Sequence, residues 1–172
     1  MKLYNQTAIP DAILDPLLTL AGRSVRARTG GVVVRLAKTS RGIHGLTHSC
    51  SRVRVAGQKR MIRTDCADIQ LWIPSFVWYR DTLDWATQIY EIAAHEWAHV
   101  FDAQEQARGK YVPMAHRVNG RRCAWKRRPE ELRAQDAAHD AMPERQPKLR
   151  RERIEDAIIA LALYIDEEKV KI

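Results

Sequence analysis

The sequence predicts an α+β fold in a single domain that spans residues 1–172, with a small sheet of about three or more strands packed against helices. A helical pattern comes first along the chain, strand-like patterns follow it in the first half, and helical patterns occupy the second half. A chain of 172 residues with 45% hydrophobic content supplies one core. No apolar run in the sequence is long enough to cross a bilayer. We therefore do not expect this chain to be a membrane protein.

The first half of the chain predicts one helix and three strands. The helix covers residues 9–22, where Asp11 is suited to cap its start and Gly22 to end it. Segment 39–51 contains two glycines and predicts a loop or an irregular hairpin. The strands are predicted at residues 32–36, 51–56 and 69–73.

The second half of the chain predicts three helices, at residues 81–108, 129–142 and 149–168. In the first of them, apolar residues recur at steps of three and four, which is the period of a buried helical face. Gly109 is a natural stop for this helix, and Pro129 is well placed in the first turn of the next one. The segment between these two helices is rich in Arg and Lys and predicts a loop.

Three residues of the longest predicted helix have the spacing of a metal site. His95 and His99 are four residues apart, so both imidazoles lie on one face and can bind the same ion. Glu96 is rotated about 100° from His95, so it can reach a water molecule beside the ion without being a ligand. This HExxH arrangement combines two nitrogen ligands with a general base, which is the requirement for zinc-dependent hydrolysis of a peptide bond.

The motif lacks a third protein ligand, which catalytic zinc usually has. The extended form HExxHxxGxxH does not apply, because Asp102 and Glu105 occupy its glycine and final histidine positions. The helix at 129–142 offers two carboxylates instead. Glu131 lies on the face that carries small residues such as Ala134, whereas Glu130 points about 100° away. The pattern favours Glu131 as the third ligand and leaves Glu130 as the alternative.

The HEWAH motif, followed downstream by a helical ExxAxxAA segment, resembles the gluzincin clan of metallopeptidases. It is most similar to the compact minigluzincins, and the ImmA/IrrE-like and SprT-like groups share parts of the pattern. The resemblance covers about residues 68–140. It implies Zn²⁺ as the cofactor, an active-site helix, a glutamate-bearing helix and a rim strand that pairs with extended peptide substrate. By position, that edge strand would be Ile69–Ile73.

The chain departs from the gluzincin pattern at one supporting position. Gluzincins often have an Asp four residues after the glutamate ligand, where this chain has Gln135, with Asp136 next to it. Asp102 lies on the same side of its helix as His95, seven residues away. It could therefore support a ligand histidine from outside the ligand shell.

A peptidase also needs a donor that stabilises the oxyanion of the tetrahedral transition state. The candidates in this sequence are Tyr90, Tyr111, His116 and His139. His139 follows Glu131 by eight residues on a similar face, so it is also an alternative ligand. A second pair of histidines, His44 and His48, has the same four-residue spacing but lies outside any predicted helix.

The formal net charge of +8 favours acidic partners, including nucleic acid. Two basic clusters contribute to it. The first consists of Arg117, Arg121, Arg122, Lys126, Arg127 and Arg128 around Trp125, and the second of Lys148, Arg150, Arg151 and Arg153. Each cluster indicates either a solvated face or weak contact with nucleic acid.

The sequence also bears on the compartment. Its N-terminus lacks the apolar segment of a signal peptide. Cys50, Cys66 and Cys123 form no CxxC pair, so they predict reduced thiols rather than a disulfide framework or a thiolate zinc site. We therefore expect a cytoplasmic protein.

The leading hypothesis is a zinc metalloendopeptidase in which His95, His99 and Glu131 bind Zn²⁺ and Glu96 is the general base. One alternative is a basic, nucleic-acid-associated module whose zinc site is structural or regulatory. A second alternative is an inactive zincin scaffold. The presence of Glu96, which only the chemistry requires, argues against the scaffold.

Overall fold

In the part of the chain that the structure describes, four helices and a four-stranded mixed sheet form the body of the protein, which confirms the predicted α+β class. The computed structural model describes residues 1–39, 44–49, 52–54, 61–63, 67–74, 81–110, 117–118, 121–122, 124 and 128–170. Its elements are β1 (Lys2–Asn5), α1 (Asp11–Ser24), β2 (Val33–Thr39), β3 (His44–Ser49), β4 (Arg52–Arg54), β5 (Met61–Arg63), β6 (Ala67–Pro74), α2 (Thr82–Ala107), β7 (Arg117–Val118), β8 (Arg121–Arg122), α3 (Pro129–Ala141) and α4 (Lys148–Val170). A 3₁₀ turn, Pro143–Arg145, joins the last two helices.

The main sheet has the strand order β1-β2-β6-β3. The first three strands are parallel, and β3 runs antiparallel to β6 at one edge. Strand β6 contains the predicted strand Ile69–Ile73, but the prediction that this segment is an edge strand is wrong. It lies in the interior of the sheet, between β2 and β3, and every second side chain from Ile69 to Ile73 is buried.

The edge strand is β3, in a segment for which the sequence predicted a loop or an irregular hairpin. Glycine and histidine give this segment little intrinsic preference for a strand. Its residues pair with β6 from His44↔Trp72 to Ser49↔Ala67. Pairing with a buried neighbour therefore outweighs local propensity here, and single-sequence patterns do not contain that information.

Helices α1 and α2 pack closely against each other beneath the sheet. A Cβ atom on Gly22 would lie 2.9 Å from Cδ2 of Trp97, so only glycine allows this approach. Gly22 is thus a packing residue inside α1 and does not end the helix as predicted. Trp97 itself is almost completely buried at this contact.

The start of α1 also differs from the prediction, whereas the start of α2 agrees with it. Pro10 rather than Asp11 occupies the N-cap of α1, and it provides no side-chain hydrogen bond. Asp81 caps α2, and its carboxylate accepts a hydrogen bond of 2.8 Å from the Leu83 amide. No helix in the described part of the chain is both long and apolar enough to span a membrane.

Tyr90 ties three helices together in the core. Its hydroxyl lies 3.0 Å from Oγ of Ser24 and 3.0 Å from the carbonyl oxygen of Ala141. Because the carbonyl can only accept, Tyr90 donates to Ala141 and accepts from Ser24. Burial raises the pKa of Tyr90 to about 12, although the hydrogen bond from Ser24 and the charge of Arg150 both act to lower it. This side chain is therefore a structural anchor.

Tyr90→Phe is expected to lower the free energy of unfolding by about 1–2 kcal/mol at neutral pH, because the buried Ala141 carbonyl loses its donor. The folded-state pKa of Tyr90 lies above the ordinary value, so its contribution is complete below about pH 10 and is lost as the pH rises through about 12. Urea unfolding of both proteins across this range should show a shrinking difference. A difference that stays constant as the pH rises would contradict the anchoring role.

Candidate metal centre

His95 and His99 project from α2 toward α3, where they meet Glu131 in the first turn. The two Nε2 atoms are 3.2 Å apart, and the rings lie nearly perpendicular, at 83°. Oε2 of Glu131 lies 3.4 Å from Nε2 of His95, and Oε1 lies 3.7 Å from Nε2 of His99. The structure thus brings the three predicted ligands together in one cluster.

The spacing of these atoms fits a small divalent ion. Ligand bonds of roughly 2.0–2.1 Å in a tetrahedral site place neighbouring donor atoms roughly 3.3–3.4 Å apart. The distance of 3.2 Å between the two nitrogens and that of 3.4 Å from Nε2 of His95 to Oε2 of Glu131 lie close to that value, and the other oxygen of Glu131 lies 3.7 Å from His99. Two imidazole nitrogens and one carboxylate oxygen also form a donor set that suits zinc.

Both histidines are held in the form that can bind a metal. Burial, together with the charge of the neighbouring His99, lowers the pKa of His95 to about 4. Burial also lowers the pKa of His99, with Glu130 acting in the opposite direction and Arg133 in the same one. Neutral imidazoles at neutral pH have a nitrogen lone pair available for an ion.

The two candidate glutamates differ in the direction of their side chains. Glu131 faces the histidines, whereas its neighbour Glu130 is absent from the cluster. Glu130 is nevertheless buried, and its Oε2 atom has no hydrogen-bond partner within the described residues. Its charge raises the pKa of His99, so Glu130 influences the site electrostatically from outside the ligand cluster.

The carboxylate of Glu96 is buried beside the cluster and accepts a hydrogen bond from a residue of the sheet. Oγ1 of Thr47 on β3 lies 2.6 Å from Oε2 of Glu96 and 3.0 Å from its main-chain oxygen. Burial raises the pKa of Glu96 to about 7, and the charge of Glu131 acts in the same direction. The hydrogen bond from Thr47 acts to lower this pKa. Glu96 thus sits next to the ligands without joining them, as the helical rotation predicted.

The backbone of β3 passes directly over Glu96. A Cβ atom on Gly45 would lie 2.5 Å from Cγ and 2.6 Å from Oε1 of Glu96, so a larger residue would displace the carboxylate. Gly45 and Thr47 therefore position Glu96, and neither role was predicted from the sequence. The two residues are two positions apart, which puts both on one face of a strand. This signal can be used only once the segment is known to be a strand.

Asp102 joins the two ligand helices. Its Oδ2 atom accepts hydrogen bonds from Nε of Arg133 at 3.1 Å and from Nη2 at 2.7 Å. The partner of Asp102 in the structure is therefore Arg133 and not a ligand histidine as predicted. This contact links α2, which carries the histidines, to α3, which carries Glu131.

Asp102→Asn is expected to weaken zinc binding by roughly 10-fold or more, a loss typical of outer-shell partners. The change loosens the contact between the helices and leaves the positive charge of Arg133 uncompensated near His99. Competition with a coloured chelator would measure the affinity. The matched control is Asp140→Asn, which removes a carboxylate from an exposed pair with Arg145. Equal losses in the two variants would contradict this role for Asp102.

Two of the remaining candidate residues, Tyr90 and His139, are described by the structure, and both lie outside the cluster. Tyr90 uses its hydroxyl within the core, so its prediction as an oxyanion donor is wrong. His139 is exposed on α3 and lies outside the ligand group. Tyr111, His116, Trp125 and the three cysteines lie outside the described residues, as do the side chains of His44 and His48.

Comparisons with protein-family models, with curated proteins and with solved structures give no match. The function proposed for this chain is therefore based on the geometry of this site and on the chemistry of its residues.

Proposed function

We propose that this chain is a metallopeptidase of the HExxH class. The observation that carries the proposal is the convergence of His95, His99 and Glu131 with a buried Glu96 beside them. Two histidines on one helix and a glutamate on a separate helix make it gluzincin-like within that class, in keeping with the resemblance of the sequence to the minigluzincins. The three ligands would hold Zn²⁺, which suits their donor set.

A zinc ion held there would supply a Lewis acid that lowers the pKa of water and polarises the carbonyl of the scissile peptide bond. Glu96 is suited to move the proton. Thr47 holds its Oε2 atom, so Oε1 is the oxygen left to take a proton from the attacking water and return it to the leaving amine nitrogen. Burial raises the pKa of Glu96 to about 7, which makes its carboxylate a stronger base than that of an exposed glutamate.

Extended peptide is the substrate class that the sheet favours. Among the residues that the structure describes, β3 pairs with β6 on one side only, so its other edge offers main-chain donors and acceptors to a further strand. The same strand passes over Glu96 at Gly45. A peptide paired with β3 would therefore lie close to the general base, with little dependence on its side chains. This assigns to β3 the role that the sequence analysis gave to Ile69–Ile73.

The proposal is tested by cleavage of a mixture of unstructured peptides, with the products identified by mass spectrometry. We expect internal cleavage that stops when a chelator removes the metal and returns when Zn²⁺ is added. Cleavage that the chelator does not affect would exclude a metal-dependent reaction. Complete inactivity of zinc-loaded protein toward all peptides would favour the inactive scaffold.

Thr47→Val is expected to lower kcat by roughly 10-fold or more, because the general base loses the hydroxyl that orients it. Valine keeps the shape of the side chain, so KM and zinc affinity should change little. Thr47→Ser restores a hydroxyl and should recover most of the rate. If the Ser variant were as slow as the Val variant, the hydrogen bond to Glu96 would not be the cause.

The cytoplasmic location expected from the sequence stays a prediction.

Among the alternative hypotheses, contact with nucleic acid is favoured by Arg150 and Arg153 at the start of α4, which line a cleft together with residues of α1.

A further inference from the structure

A cleft of about 270 Å³ lies where the end of α1 meets the start of α4. Its walls are formed by Leu20, Arg23, Leu149, Arg150 and Arg153. None of these residues belongs to the metal centre. Three guanidinium groups and two leucine side chains therefore surround one small space that the proposed peptidase reaction does not use.

Among the described residues, the arginines of the cleft lack the carboxylate partners that two neighbouring cations of α4 have. Lys148 and Arg151 each pair with a glutamate one turn further along the helix. Within the described residues, Arg23 and Arg153 have no carboxylate partner, and Arg150 donates to the neutral amide oxygen of Gln146 at 3.2 Å. Positive charge is thus compensated on the outer face and left uncompensated in the cleft.

The position of this charge favours an anion. Arg150 and Arg153 lie near the N-terminal end of α4, where the helix dipole is already positive, and the first turn contains no acidic residue. The three exposed arginines line the same cleft, so an anionic group within it is attracted to all three and can accept hydrogen bonds from their guanidinium groups.

The chemistry of the walls favours phosphate as that anion. Guanidinium groups match the oxygens of phosphate with paired hydrogen bonds. Leu149, which is 79% exposed, and Leu20 add an apolar surface beside the charges, against which a sugar can pack. The cleft is smaller than the usual small-ligand pocket of roughly 300–1,000 Å³, so it suits one nucleotide unit better than a protein segment. The net charge of +8 attracts a polyanion to the whole surface.

We propose that this cleft holds the phosphodiester backbone of a nucleic acid strand. Arg23, Arg150 and Arg153 contact its phosphate oxygens, and Leu20 and Leu149 line the space for the attached sugar. This role is independent of the peptidase reaction, so either proposal can fail without the other.

The test measures the affinity of the full chain for a fluorescent single-stranded DNA oligonucleotide over a range of salt concentrations. Arg23→Gln/Arg153→Gln removes two charges from the cleft. The matched control Lys2→Gln/Lys110→Gln removes two charges from β1 and from beyond the end of α2, outside the cleft. Both variants lower the net charge equally, so any general attraction to DNA falls by the same amount.

We expect the cleft variant to bind at least about 10-fold more weakly, with a salt slope reduced by about 1.4 for two lost contacts to single-stranded DNA. The control should stay within about 3-fold of the wild type. An equal loss in the two variants would overturn the proposal, because general charge would then explain the binding. Absence of DNA binding by the wild type, or displacement of DNA by polyglutamate at the same charge concentration, would also overturn it.

Discussion

Glu96→Gln is expected to keep its zinc and to lose peptide hydrolysis by roughly 10²–10⁴-fold, the usual contribution of a general base. Glutamine preserves the shape of the side chain and can still accept the hydrogen bond from Thr47, but its amide cannot take a proton at neutral pH. The three metal ligands are unchanged, so the site itself should remain intact.

This prediction separates the general base from the ligands, because the rate and the zinc affinity are measured on the same protein. Single-turnover cleavage of a peptide gives the chemical rate, and competition with a chelator gives the affinity. Loss of zinc in Glu96→Gln would show that Glu96 is a ligand. An unchanged rate would assign the proton transfer to another group.

Glu131→Ala is expected to weaken zinc binding by more than about 100-fold, which exceeds the loss typical of an outer-shell partner. The variant leaves two imidazoles, and both oxygens of Glu131 lie close to them in the wild type. Glu130→Ala is the matched control, since it removes the same buried side chain from the adjacent position of α3. Its effect should stay within about 10-fold, because Glu130 acts on His99 only through its charge.

Metal competition on both variants, with circular dichroism to verify that each is folded, decides between the two glutamates. If Glu130→Ala lost zinc and Glu131→Ala retained it, the ligand assignment would be reversed. Similar affinities in both variants and the wild type would remove glutamate from the ligand set altogether.

The metal ligands could be predicted from the sequence because their geometry is local. His95, Glu96 and His99 lie on one helix, whose period fixes their relative directions. The helix that contains Glu131 was also predictable, from its proline start and its small residues. The same helical period favoured Glu131 over Glu130, and the structure places Glu131 next to the histidines.

The surroundings of Glu96 could not be predicted because they depend on contacts between distant parts of the chain. Thr47 and Gly45 belong to a strand that exists through its pairing with β6, and no local pattern in the sequence shows that pairing. For the same reason, Ile69–Ile73 was assigned to the edge of the sheet although it lies in the interior. Asp102 was predicted to support a histidine, but the approach of α3 gives it Arg133 as its partner.

The metal content of the purified wild-type chain tests the central claim most directly. Elemental analysis should find about one zinc per chain after purification without chelators, or after reconstitution and removal of excess metal. If, in addition, Glu131→Ala lacks the ion, that result would establish that His95, His99 and Glu131 form a metal centre in solution. A wild-type chain that retains no zinc, even after reconstitution, would contradict the account.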